Sequence, residues 1–162
     1  VKPEIQIGIG SRIRTQTPQF GATKKGELKN MFGEEIGGGQ GKRTGRRVIG
    51  TEPLKVEASF EDSTSLLGLD GVNIGTYVAT TKPDGSLLGS GEGIYATPSG
   101  DMATWKAIGT GSFSPDGGVR YRGSLSFTTT APKLASLNST PTVFDFTIDA
   151  QGNTKSHFWA WN

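Results

Sequence analysis

Along most of this chain apolar and polar residues alternate with a period of two. Pro, a small polar residue and Gly interrupt the alternation at near-regular intervals. In 54–67, Val56, Ala58 and Phe60 alternate with Glu57, Ser59 and Glu61, the mark of a half-buried strand. The same pattern predicts strands at 42–50, 73–81, 87–97, 102–114, 118–130, 142–149 and 154–161. The stretch EIQIGIGSRIRT at 4–15, with Ile5, Ile7, Ile9 and Ile13, is a further strand signal. The chain is therefore all-β, with eight strands, or nine if the first joins the sheet. Between 130 and 142, Pro132 suits a first helical turn, Leu134 and Leu137 are three apart, and Pro141 ends the run; a short helix over 131–138 capping one end is expected.

The interruptions fix how the strands pair. KPDGS at 82–86, TPSGD at 97–101 and SPDGG at 114–118 each suit a three-residue hairpin loop, with DAQGN at 149–153 a weaker copy. Pro presets the first turn dihedral, Asp or Ser tolerates the second position, and Gly takes the left-handed one. With these loops as pivots, Tyr77 faces Gly91, Gly93 faces Trp105, Trp105 faces Phe127 and Gly111 faces Tyr121. One face then carries rows such as Gly75–Gly93–Trp105–Phe127 and Ala79–Gly89–Gly109–Gly123, bare backbone interleaved with rings. Glycine lets a strand coil sharply and lets a ring lie on it. The pattern predicts an antiparallel up-and-down barrel, with the glycine and aromatic face inside and Arg120, Arg122, Ser124, Ser126 and Thr128 outside. An open sandwich is the alternative. Ile74, Val78, Leu88, Ile94, Met102 and Ile108 would also face out, which suggests a homo-oligomer, dimer or trimer, unless the N-terminal 40 residues cover them.

The totals add limits. The chain has 162 residues, consistent with one barrel domain spanning 1–162, in which 16–40 is a Gly-rich, turn-rich segment expected to be mobile. It holds no Cys and one His, so neither a disulfide nor a zinc site is expected, and nothing points to a cofactor. No apolar run reaches the ~20 residues of a membrane-crossing helix. The N-terminus does not look like a signal peptide, which favours the cytoplasm, with secretion after leader removal left open. Residues 1–50 hold ten Lys/Arg and four Glu, a net +6, and the remainder is −4. That asymmetry is mild for a nucleic-acid binder.

Four constellations carry candidate chemistry. GGGQGKRTGRR at 37–47 fails the phosphate-loop pattern, with Ile36 and Arg43 where Gly and Ser/Thr are needed. Simple alternation puts Lys42 and Arg46 on one face and Arg43 and Arg47 on the other, which dilutes a basic patch, although Arg47 could point inward and be paired. Asp145 and His157 become cross-strand neighbours beside Trp159, either a surface pair or a general-base dyad. Glu92 and Lys106 pair as an exterior salt bridge of little energetic weight. Tyr77, Tyr95, Trp105, Tyr121 and Phe127 fill the lumen or line a pocket for a hydrophobic small molecule.

The run GTYVATTKPDGSLLGSGEGIYATPSGDMATWKAIGTGSF, followed by YRGSLSFTT and ending in FWAW at 158–161, resembles the allene oxide cyclase-like barrels. These calycin-type proteins include the dirigent proteins, and the likeness is narrower to a microbial branch of them. It covers residues ~42–162. It implies an eight-stranded antiparallel barrel, commonly oligomeric, with an apolar lumen for hydrophobic small molecules and, in the cyclases, a cyclisation carried out there. No motif aligns residue by residue, so no catalytic residue is carried over, and the absence of Cys departs from the plant enzymes.

Overall fold

The structure, a computed structural model, describes residues 32–161. The expected strand at 4–15 and the first part of the Gly-rich segment lie outside those residues. The elements are β1 (Glu35–Thr51), β2 (Leu54–Leu66), β3 (Leu69–Thr81), β4 (Leu87–Ala96), β5 (Met102–Phe113), β6 (Val119–Thr128), a 3₁₀ helix (Pro132–Ser139), β7 (Thr142–Ile148) and β8 (Asn153–Ala160). Each strand pairs antiparallel with the next, and β1 pairs with β8 to close an eight-stranded barrel.

The hairpin loops set the predicted register. Gly85, Gly100, Gly117 and Gly152 all adopt φ between 82° and 90°, the left-handed position such a loop requires. The loop carboxylates tie the turns down: Asp84 accepts from the Ser86 amide at 2.9 Å, Asp116 from Gly118 at 3.2 Å and Asp149 from Asn153 at 2.8 Å. Tyr77 therefore faces Gly91, Gly93 faces Trp105, Trp105 faces Phe127 and Gly111 faces Tyr121.

The sheet closes because its inner face has room for its own rings. A Cβ on Gly91 would stand 2.7 Å from Tyr77 Cβ, and one on Gly109 would stand 2.9 Å from the Phe144 ring. Real side chains do not approach so closely, so these strands curl inward only as bare backbone. The rings stack in the space released. Phe60 lies 6.2 Å from Trp105 and 4.8 Å from Phe146, centroid to centroid. The 3₁₀ helix seals one end with Leu134 and Leu137, both fully buried, above Leu66, Tyr95 and Phe127. The β3–β4, β5–β6 and β7–β8 hairpin turns and the β1–β2 turn lie at the other end.

The first strand is longer than its sequence pattern predicts. Residues 35–40, assigned by composition to a mobile Gly-rich segment, are strand, and from Gly37 onward they pair on both sides. Gly37, Gly39 and Gly41 face Leu66, Thr64 and Asp62 of β2 and Phe158, Ser156 and Thr154 of β8. Glycine at these positions leaves no periodic apolar signal to read, yet the backbone ladder does not need one. Beyond Lys42, which pairs with Asn153, β1 outruns β8 and pairs with β2 alone.

Candidate functional site

Period-two alternation sends odd-numbered residues of β3 to β6 and even-numbered residues of β2, β7 and β8 to the barrel axis. At the centre of the lumen lies a cavity of about 60 Å³. Its wall is almost entirely carbon, with Phe60, Trp105, Leu125, Phe146 and Phe158 among its rings and chains. The space exists because Gly89, Gly91, Ala107 and Gly109 present little or no side chain there. Among the described residues that line it, none is an Asp, Glu, Lys, Arg or His.

Besides Ser90 and Ser156, the polar lining of the cavity is two pairs of side chains. Deep in the barrel, the Trp105 indole Nε1–H donates to Asn73 Oδ1 at 2.7 Å, which satisfies two buried polar groups and fixes the indole plane. Toward the end away from the 3₁₀ helix stand Tyr77 and Tyr121, their rings edge to face at 5.6 Å. Burial raises the pKa of both phenols. Both are therefore neutral at physiological pH and able to donate a hydrogen bond. Arg43 and then Arg46 oppose that rise at Tyr77, so two cations stand near this end of the lumen.

Of the five lumen residues predicted from sequence, Tyr77, Trp105 and Tyr121 line the cavity. Tyr95 and Phe127 face inward but lie toward the sealed end. The Tyr95 hydroxyl donates to the Leu69 carbonyl, and Phe127 meets Phe158 edge to face at 6.4 Å. Register placed all five on the inner face, but it does not say which end a helix will close.

Sequence reasoning missed a buried polar seam. Asp62, Thr64, Thr154 and Ser156 point inward from β2 and β8, and all are buried. They approach one another over bare β1, where a Cβ on Gly41 would stand 2.7 Å from Asp62 Oδ1. The Thr154 hydroxyl donates to Asp62 Oδ1, while Asp62 Oδ2 and Thr64 Oγ1 have no partner. Burial raises the Asp62 carboxyl, with the Thr154 hydrogen bond working against it. The signal was present: the alternation of Val56, Ala58 and Phe60 continues in step to Asp62 and Thr64.

The other constellations resolve to surface structure. Asp145 and His157 are cross-strand neighbours on the outside, but each has another partner. Arg120 grips Asp145 through Nε and Nη2, whereas His157 Nδ1 lies 2.9 Å from Glu35 Oε1 with its ring stacked on Trp159. Glu92 and Lys106 face one another in the register, yet they form no ion pair among the described residues. Arg47 points outward and meets Glu57 Oε1 at 2.8 Å, so its inward alternative does not occur. Among the described residues no cluster of three or more His, Cys, Asp or Glu could hold a metal ion, and no helix is long and apolar enough to cross a membrane.

The fold has solved counterparts. A protein of unknown function from Clostridium acetobutylicum is similar at 15% identity and TM-score 0.70, over 80% of this chain and 97% of that one. A beta-barrel-like protein from Acinetobacter baumannii is similar at 13% identity and TM-score 0.68, over 80% and 94%. A conserved protein of unknown function from Rhodopseudomonas palustris is similar at 10% identity and TM-score 0.63, over 76% and 95%. No family model and no curated protein matches the chain. At these identities the likeness is one of fold alone.

Proposed function

We propose that this barrel binds a small, largely apolar molecule in its lumen, with an oxygen of that molecule directed at Tyr77 and Tyr121. The observation that carries this is the carbon-walled cavity with two neutral phenols toward the end away from the 3₁₀ helix. Its free volume, about 60 Å³, is far below the ~300–1,000 Å³ of pockets that enclose drug-sized ligands. It is also below the ~150 Å³ of an apolar cavity that takes up benzene, so a ring or short chain enters only as the lining side chains move aside, or with its remainder outside. Because the wall lacks a carboxylate, imidazole or amine, it supports confinement rather than proton abstraction. A cyclase or isomerase that works by folding an apolar substrate fits that wall better than one that needs a base.

Isothermal titration with benzyl alcohol and hexanol tests the proposal, with Ala107→Leu as the variant that fills the cavity. The native protein binds at least one of the two. The variant keeps its far-ultraviolet circular dichroism and binds about tenfold more weakly, or not at all. Equal binding by the variant, or no binding by the native protein, contradicts the proposal.

A second reading rests on the outer face of β3, β4 and β5. Ile74, Leu88, Met102 and Ile108 lie there with between 40% and 53% of their surface exposed. Apolar surface of that density suits association of copies of this chain into a dimer or trimer. It is compatible with a ligand in the lumen.

A further inference from the structure

Strand β1 carries Lys42, Arg43, Arg46 and Arg47. In a regular strand, Arg43 and Arg46 would point to opposite faces. They do not, because the register shifts between Arg43 and Gly45: Arg43 faces Phe60, Gly45 faces Ser59, and Arg46 faces Ala58. Thr44 is the extra residue of a β-bulge, and a bulge re-aims every side chain beyond it. Phe60 and Ala58 are buried inner-face residues, so the bulge brings both Arg43 and Arg46 to the inner side of the sheet. It turns Arg47 outward to Glu57.

The two inward arginines stand at the rim of the lumen, where β1 has already outrun β8. Arg43 is half-buried, and its side chain lies across the last hairpin, with Nη2 3.4 Å from where a Cβ on Gly152 would stand. Arg46 opens the cross-strand row that continues through Ala58 to Tyr77, Gly91 and Ala107. The last three of these line the cavity. Of the acidic residues on the same end, the exposed Glu52 of the β1–β2 turn has no ion-pair partner among the described residues, and the others are engaged. Asp84, Asp116 and Asp149 each close their own hairpin, and Glu57 holds Arg47. Among the described residues neither Arg43 nor Arg46 has a carboxylate partner within ion-pair distance.

We infer that the lumen ligand is a small organic anion, whose apolar body enters the cavity and whose carboxylate or similar head stays at the rim on Arg43 and Arg46. This rests on the lumen reading above and narrows it from apolar molecules to amphiphilic anions. Guanidinium suits such a rim because it stays charged, presents a planar fork of donors and tolerates partial burial. The Tyr77 and Tyr121 hydroxyls add neutral donors on the inner side of the head. An anion placed there gains charge-assisted hydrogen bonds while its carbon body leaves water.

The test compares matched pairs, benzoate with benzyl alcohol and hexanoate with hexanol, by isothermal titration at neutral pH and low ionic strength. The native protein is expected to prefer each acid about tenfold or more, the scale of hydrogen bonds to charged groups. In R43Q/R46Q the acid-to-alcohol ratio falls to near one, and in R43K/R46K part of it returns. K42Q/R47Q removes the same charge from residues outside the rim and keeps the native ratio. If acids and alcohols bind the native protein equally, this inference falls while the lumen reading stands. If K42Q/R47Q loses the preference as fully as R43Q/R46Q, general charge and not the rim accounts for it, and the inference falls. If neither acid nor alcohol binds, both fall.

Discussion

Asp62 stands at 0% exposure with one carboxylate oxygen bonded to Thr154 and the other unpartnered. Burial raises its pKa above the ordinary carboxylate value, so the folded protein holds this proton more tightly than the unfolded chain does. As pH rises past the unfolded carboxyl value near ~3.9, the unfolded chain ionises first. Stability from this residue is full below that point and is lost as pH climbs through the raised folded value. Asp62→Asn removes the titration. Thermal melts across acid to neutral pH are expected to show the variant gaining stability relative to the native protein as pH rises. A difference that stays flat across the range contradicts the assignment. The loop carboxylates do the reverse: Asp84, Asp116 and Asp149 are held low, first by side-chain hydrogen bonds with Ser86, Ser114 and Asn153 respectively. Comparing variant with native protein at each pH cancels them. Sequence alternation alone puts Asp62 on the inner face. What it does not contain is Gly41 and Thr154, brought beside Asp62 only when the barrel closes.

At the scale of elements, hairpin chemistry is legible because it is local. Pro, Asp and Gly within one loop decide the turn, and the turn decides the register of two strands. That is why the Tyr77–Gly91 and Trp105–Phe127 pairings could be read directly from residues 82–86 and 114–118. The bulge at Thr44 was not legible. Nothing in GKRTGRR distinguishes one extra residue from none, and simple alternation therefore put Arg43 and Arg46 on opposite faces. The outer face of β3 to β5 yields a prediction at this same scale. If it is an interface, light scattering gives the mass of a dimer or trimer, and Ile108→Lys shifts that mass toward the monomer. A monomer across the accessible concentration range excludes the second reading. The charge would be tolerated in the fold itself, because Ile108 is already 53% exposed.

For the whole molecule, one compositional choice links fold and site. Glycines concentrated on the inner face allow eight strands to close around stacked rings, and where they cluster about Ala107 they leave the cavity. The 3₁₀ helix closes one end with Leu134 and Leu137, and at the other end, which carries Tyr77, Tyr121 and the two rim arginines, the buried Leu87 and Ile148 fill the inner face. Closure was foreseeable from the glycine rows, whereas the free volume was not, because it depends on how Phe60, Phe144 and Phe146 share the axis after closure. The most direct measurement is a crystal structure of the protein with benzyl alcohol. The ring is expected among Phe60, Trp105 and Phe146, with its oxygen within hydrogen-bonding distance of Tyr77 or Tyr121. Alcohol found only on the outer sheet, with the lumen closed over by its own side chains, would contradict the account.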